Sequence, residues 1–182
     1  MESHAASLIA KKRYDEAQSL LYTLSGQGSV YSLLALGWMH ESGAIEPKDT
    51  KIAKSYYERA ALEGDSEAYL RLGRLLMNEG ERPQARAAFE AGAEMGNLGS
   101  MYELGIALLE GAGGTASDER AIAWLKRAAE EGHIFSERKL ISIEATQSRS
   151  LIERILLIPR ILVLATKAFK VGFRDVYSDK LS

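Results

Sequence analysis

The 182-residue chain has no cysteine. This removes disulfide scaffolds, thiolate metal sites, iron–sulfur clusters and a cysteine nucleophile together. Proline is almost as scarce, three residues against sixteen glycines, a balance that suits many helix ends and few extended linkers. Neither sign of charge prevails: 23 Lys and Arg face 25 Asp and Glu, so no whole-chain basic excess points to nucleic acid. The opening MESHAASLIAKKRYDEAQ does not read as a secretory leader. It has an acid at position two, and its basic residues follow a short apolar patch, Ala5 to Ala10, instead of preceding it. No lipidation motif is legible. The expectation is therefore the cytosol, or the cytosolic face of a membrane. Apolar side chains are what the chain has in plenty: 46% hydrophobic residues suffice for one cored domain with an appendage, and wholesale disorder is excluded.

Self-similarity organises the first part of the chain. Leu-Gly pairs stand at Leu36-Gly37, Leu72-Gly73 and Leu104-Gly105, in steps of 36 and 32. A second glycine series, Gly28, Gly64, Gly96 and Gly132, steps by 36, 32 and 36, and so does an alanine series, Ala17, Ala53, Ala85 and Ala121. Each period holds two helical patterns. The first halves, 31–43, 68–80 and 101–111, carry apolar residues at helical spacing and end at glycine. The second halves begin at turn or capping residues (Asp49, Pro83, Ser117-Asp118) and again stop at glycine. No stretch alternates apolar and polar residues, so no sheet is predicted. Glycine inside a helix costs about 1 kcal/mol against alanine. Its recurrence at Gly37, Gly73 and Gly105 predicts a close helix approach there, with the repeated alanines on the other side and Tyr57, Phe89 and Leu125 filling the seam between repeats.

The order LG, a glycine-containing loop, A-x-x-W/Y, then AA-x-x-G resembles the Sel-one-like repeat family, relatives of the tetratricopeptide repeat (TPR). The best copies are 31–64 and 100–132; the middle copy is TPR-like in length, and a degenerate half-copy with Tyr14, Ala17 and Gly28 precedes them. The resemblance covers roughly residues 5–145. It implies an all-α fold, a right-handed TPR/Sel-one-like α-solenoid of three to four helical hairpins, that binds protein segments or scaffolds complexes. The expected division is a repeat domain, 1–148, and a C-terminal helical segment, 149–182.

The TPR alignment places one face of each first helix on the concave side. Counting from the Leu-Gly pairs gives Tyr31, Leu34, Trp38 and Glu41, then Glu67, Leu70, Arg74 and Asn78, then Tyr102, Ile106 and Leu109. This set is apolar and aromatic with few cations, suited to a hydrophobic helix or peptide. Trp38, Arg74 and Tyr102 are the expected hot spots, because Trp, Tyr and Arg dominate binding energy at interfaces. The alternative is that many of these side chains pack between helices.

Past residue 148 the composition shifts. The stretch 150–173 has fifteen residues from Ala, Val, Ile, Leu and Phe, and residues 149–182 carry a net +4 against −6 for the rest. On a helix, Glu153, Arg160, Lys167 and Arg174 fall seven apart in one stripe flanked by Arg154 and Lys170. Ile155, Ile158, Leu162, Ala165, Phe169 and Phe173 supply a broad apolar side. Such a helix needs a cover. Arg160 interrupts any transmembrane run. A span carrying that charge, an in-plane amphipathic helix with its cations on anionic lipid, which fits better, and packing on the repeats, on a second copy or on a partner are the readings that stay open. Pro159 is expected to kink or divide this helix.

Catalytic chemistry is not legible. His4, His40 and His133 lack paired-ligand spacing, and Gly111-Ala112-Gly113-Gly114-Thr115 lacks the Lys-Ser/Thr of a phosphate loop. The expectation is a non-enzymatic adaptor without cofactor or metal, peripheral at the inner face of a membrane. It would bind a membrane protein or membrane-associated enzyme; the family resemblance implies a glycan-assembly enzyme. The runner-up is a soluble interaction module whose C-terminal helix caps the solenoid or mediates homodimerisation.

Overall fold

A computed structural model describes residues 1–147 and 155–178, with side chains through Phe169. The described residues form ten whole helices and no strand. In chain order they are α1 (Glu2–Ala10), α2 (Tyr14–Gly26), α3 (Val30–Ser42), α4 (Thr50–Leu62), α5 (Ser66–Asn78), α6 (Arg82–Glu94), α7 (Leu98–Glu110), α8 (Asp118–Glu130), α9 (Ile134–Gln147) and α10 (Ile158–Ser178). The chain divides into two compact units, Met1–Ser100 and Met101–Ser182.

The helix starts follow capping chemistry. Asp49 accepts hydrogen bonds from the backbone N–H groups of Lys51 (2.8 Å) and Ile52 (3.1 Å). Asp65 caps α5 through Ala68 at 2.7 Å, and Ser117 caps α8 through Arg120. Each satisfies a donor that the helix itself leaves open. The unequal repeat steps come from the loops. Segments 43–49 and 111–117 link the halves of the first and third repeats, while only 79–81 links α5 to α6. The two longer loops close alike: the Asp49 N–H donates to the His40 carbonyl at 3.1 Å, and the Ser117 N–H to Leu108 at 2.9 Å.

In the first unit, helices pack on their neighbours in sequence, α1 on α2, α3 on α4, α5 on α6, with α2 also on α3 and α4 on α5. The expected half-copy at the N-terminus is a full, short hairpin, with Ala5 and Leu8 of α1 buried in the same core as Ala17 and Leu21 of α2. The Leu-Gly glycines are notches. A Cβ built on Gly37 would lie 2.5 Å from Tyr57 Cε1, and one on Gly73 2.5 Å from Phe89 Cδ1. The bulky residues therefore fill a gap within their own repeat, which corrects the expectation of a seam purely between repeats. Tyr57 serves both contacts, packing also with Ala53, Leu72 and Leu75. The second glycine series has a different cause. Gly28, Gly64, Gly96 and Gly132 all adopt φ between +83° and +94°, with nothing near a built Cβ. Backbone conformation selects glycine there.

In the second unit the notch recurs, a Cβ on Gly105 falling 2.8 Å from Leu125 Cγ. Leu104, Leu108, Ala121, Leu125 and Ala128 are fully buried. Helix α9 packs on α8 and on α10. Pro159 stands in the first turn of α10, after a turn at Leu157 that separates it from helical residues 155 and 156. The proline divides the apolar stretch, as its missing N–H requires. No helix among the described residues is long and apolar enough to cross a membrane.

Candidate functional site: a two-lobed groove on the first helices

The first unit holds two adjoining depressions that share Trp38 and Arg71. One, of about 380 Å³, is lined by Ile9, Tyr31, Leu34, Ala35, Trp38 and Arg71. The other, of about 470 Å³, includes Trp38, Glu41, Lys48, Arg71, Arg74 and Asn78. The apolar-aromatic lobe and the polar lobe thus form one groove with a Trp–Arg divide. Helix α3 contributes Tyr31, Trp38 and Glu41; α5 contributes Arg71, Arg74 and Asn78.

Packing orients these side chains. Trp38 is half-buried, with Tyr14 meeting its ring edge-on at 6.4 Å. Tyr57, at the back of the Gly37 notch, donates its hydroxyl to Glu41 Oε2 at 2.7 Å. Burial, then that hydrogen bond, holds the Tyr57 hydroxyl protonated well above the usual tyrosine range. Arg71 pairs with Glu67 at 3.1 Å, and its buried Nε has no hydrogen-bond partner among the described residues. Tyr31 sits at the outer edge, 36% exposed. Burial and the neighbouring Glu2 push its hydroxyl pKa up. The groove offers aromatic faces, guanidinium groups and an amide in fixed positions, which is equipment for recognition.

Six expected face residues, Tyr31, Leu34, Trp38, Glu41, Arg74 and Asn78, do line this groove. Leu70 does not; it is buried and would touch a Cβ built on Gly99. The expectation of few cations is corrected too, since Lys48, Arg71 and Arg74 all border the polar lobe. Arg71 was detectable in principle, because Glu67, Arg71, Arg74 and Asn78 follow a 4-3-4 helical spacing. Lys48 comes from a loop and had no periodic signal. Tyr102 and Ile106 belong to the second unit, both half-buried. The Tyr102 ring is tilted against His133 (5.4 Å) and Phe135 (6.4 Å).

The two stripe residues with described side chains face α9. Arg160 pairs with Glu144, and Lys167 Nζ with Glu137 Oε2 at 2.9 Å. Leu157 and Leu164 are buried. Ile155, Ile158, Leu162 and Phe169 are exposed. Glu153 and Arg154 lie outside the described residues, and Lys170, Phe173 and Arg174 outside the described side chains.

Segments 30–65 and 99–133 match the family model for the Sel1 repeat. The chain carries Sel1 repeats. The matches coincide with α3–α4 and α7–α8, the two hairpins with long loops. Among solved structures, the chain is similar to a Sel1 repeat protein from Oxalobacter formigenes, with TM-score 0.71 and 23% identity over 80% of this chain and 61% of that one. It is also similar to a protective antigen present in uropathogenic Escherichia coli strains that displays an SLR fold. That match has TM-score 0.70 and 24% identity over 91% of this chain. The chain spans 61% and 37% of their respective lengths. At these identities the likeness shows the fold, an all-α helical-repeat protein. No curated protein matches the chain at a significant level. Sel1 repeats are generally protein-interaction scaffolds, typically without catalytic activity. Among the described residues no group of acids and histidines is arranged to hold a metal ion.

Proposed function

We propose that the Sel1-repeat chain is a protein-binding scaffold whose first unit grips an extended or helical partner segment in the Trp38 groove. The carrying observation is the side-by-side placement of the Ile9, Tyr31, Leu34 and Trp38 lobe and the Lys48, Arg71 and Arg74 lobe. A segment with an apolar anchor followed within a turn by a carboxylate fits both. The anchor desolvates Trp38, and the carboxylate meets guanidinium groups that can bind it in bidentate geometry.

The partner class implied by the family resemblance gives the first segments to try: cytosolic tails of membrane-associated glycan-assembly enzymes. This reading puts the scaffold at the inner face of a membrane through its partner. Anchorage of α10 in lipid by its basic stripe would require Arg160 and Lys167 to leave Glu144 and Glu137. The proposal therefore locates binding in the groove.

Panning a random-peptide library against the chain and against Trp38→Ala tests it. Peptides enriched on the unmodified chain are expected to lose about thirtyfold in affinity on Trp38→Ala, the size of an aromatic hot spot of about 2 kcal/mol. Equal enrichment on both proteins would overturn the proposal.

A further inference from the structure

The loops that lengthen the first and third repeats follow one plan. Each leaves its helix through a glycine of positive φ, Gly43 at +76° and Gly111 at +67°. Each ends at the residue that caps the next helix, Asp49 and Ser117, whose N–H donates back to a carbonyl of the helix before. Just ahead of the cap the spacing is again the same: a Cβ built on Gly43 would lie 3.5 Å from Lys48 Cβ, and one on Gly111 3.5 Å from Ala116 Cβ. Lys48 and Ala116 thus hold one position in a shared loop frame. In the first unit that frame is anchored, because Ile45 is 6% exposed and packs in the core with Leu36 and Met39. The stem of Lys48 lies along Gly43, its Cβ, Cγ and Cδ all within 4.0 Å of the built atom. Lys48 itself is exposed and lines the polar lobe of the groove. The α5–α6 connection, 79–81, is too short to offer such a position.

We infer, on the reading that the partner lies in this groove, that Lys48 is the residue that selects an acidic segment and that the 43–49 loop is the arm delivering it. The charges of the lobe carry this. Its lining holds three cations, Lys48, Arg71 and Arg74, and two carboxylates, Glu41 and Glu79. Arg71 already shares its charge with Glu67 at 3.1 Å, and Arg74 is engaged within the protein. The Lys48 side chain has no hydrogen bond or ion pair among the described residues. Taking its charge away leaves as many carboxylates as cations, and an acid arriving from a partner would then meet no excess of positive charge. The guanidinium groups supply planar geometry, whereas the ammonium is a point charge on a flexible stem that reaches acids at several spacings. An arm held on a fixed scaffold is also where a repeat can change its partner without changing its core. At the same position the third repeat carries Ala116 and lacks this charge.

The test is selection from a random-peptide library on the full chain, on Lys48→Gln, which keeps the stem and removes the charge, and on Lys48→Glu, which reverses it. Helical circular dichroism should be the same for all three, since the side chain is exposed. Peptides selected by the unmodified chain are expected to carry Asp or Glu beside an apolar anchor. They should bind Lys48→Gln about fivefold more weakly, chiefly through slower association, and with a shallower dependence on salt. Selection on Lys48→Glu should retain the apolar anchor and replace the acids with Lys or Arg. Peptides that depend on Trp38 but show no acid preference, or that bind both Lys48 variants as well as the unmodified chain, would overturn the inference and leave the groove standing. Peptides indifferent to Trp38→Ala would overturn the groove itself as the binding site, and the role of Lys48 with it.

Discussion

Gly73→Ala puts two opposing terms against each other at one atom. Alanine is the better helix former by about 1 kcal/mol, so an open mid-helix site would gain stability. Here the added Cβ would lie 2.5 Å from Phe89 Cδ1, and Phe89 is 1% exposed with no room to swing away. Overpacking of a filled core costs about 1–3 kcal/mol. The net expectation is a loss of about 1 kcal/mol or somewhat more, a fall in melting temperature of about 2–4 °C per kcal/mol for a chain of this size. The sign should depend on the partner. In a Phe89→Ala background, itself about 3–5 kcal/mol less stable, the notch is empty and Gly73→Ala should gain about 1 kcal/mol. Urea unfolding of the four proteins measures this cycle. An equal effect of Gly73→Ala in both backgrounds would refute the notch and leave backbone conformation as the reason for glycine. Gly105 with Leu125 offers the same cycle in the second unit.

His40 occupies the repeat position held by Leu76 and Leu108, and is equally buried. Its ring is stacked on Tyr56 at 5.9 Å, and neither nitrogen has a hydrogen-bond partner among the described residues. Burial lowers its pKa below 6.5, against a smaller opposing effect of Asp49. Its folded form therefore takes up a proton less readily than its unfolded form. Stability should fall as pH drops below about 6.5 and level off below the folded pKa. His40→Leu should raise stability and flatten that slope in denaturant titrations at several pH values; an unchanged slope would refute the assignment. Ser100 is fully buried and its hydroxyl has no hydrogen-bond partner among the described residues, where the second repeat has Ala68. Ser100→Ala should be neutral or stabilising by up to about 1 kcal/mol, and a thermal-melt loss larger than that would show an unrecognised hydrogen bond.

The repeat was legible because small residues leave an unmistakable period, and it located both halves of the hairpins from α3 to α8 to within a few residues, while α1, which carries no copy of the glycine or alanine series, was missed. The two glycine series looked alike on paper and differ in cause: Gly37, Gly73 and Gly105 answer to a neighbouring ring or leucine, Gly28 and Gly64 to their own backbone. The groove was half legible. Counting along α5 placed Leu70 on the open face, whereas the helix turns Leu70 inward and Arg71 outward; one residue is 100° of rotation, enough to exchange core for groove. The seven-residue stripe on α10 was visible, but what it faces was not. Glu137 and Glu144 repeat the same spacing on α9, and only the antiparallel pairing brings the two series together.

The central claim is that the groove divided by Trp38 and Arg71 is where a partner binds. It is tested most directly by titrating a library-selected peptide into a Trp124→Phe variant, which leaves Trp38 as the sole tryptophan, while calorimetry reports binding on the same samples. The account predicts a shift of Trp38 emission that saturates at the calorimetric midpoint and disappears with Arg71→Glu. Full calorimetric binding with unchanged Trp38 emission would place the partner elsewhere and contradict it.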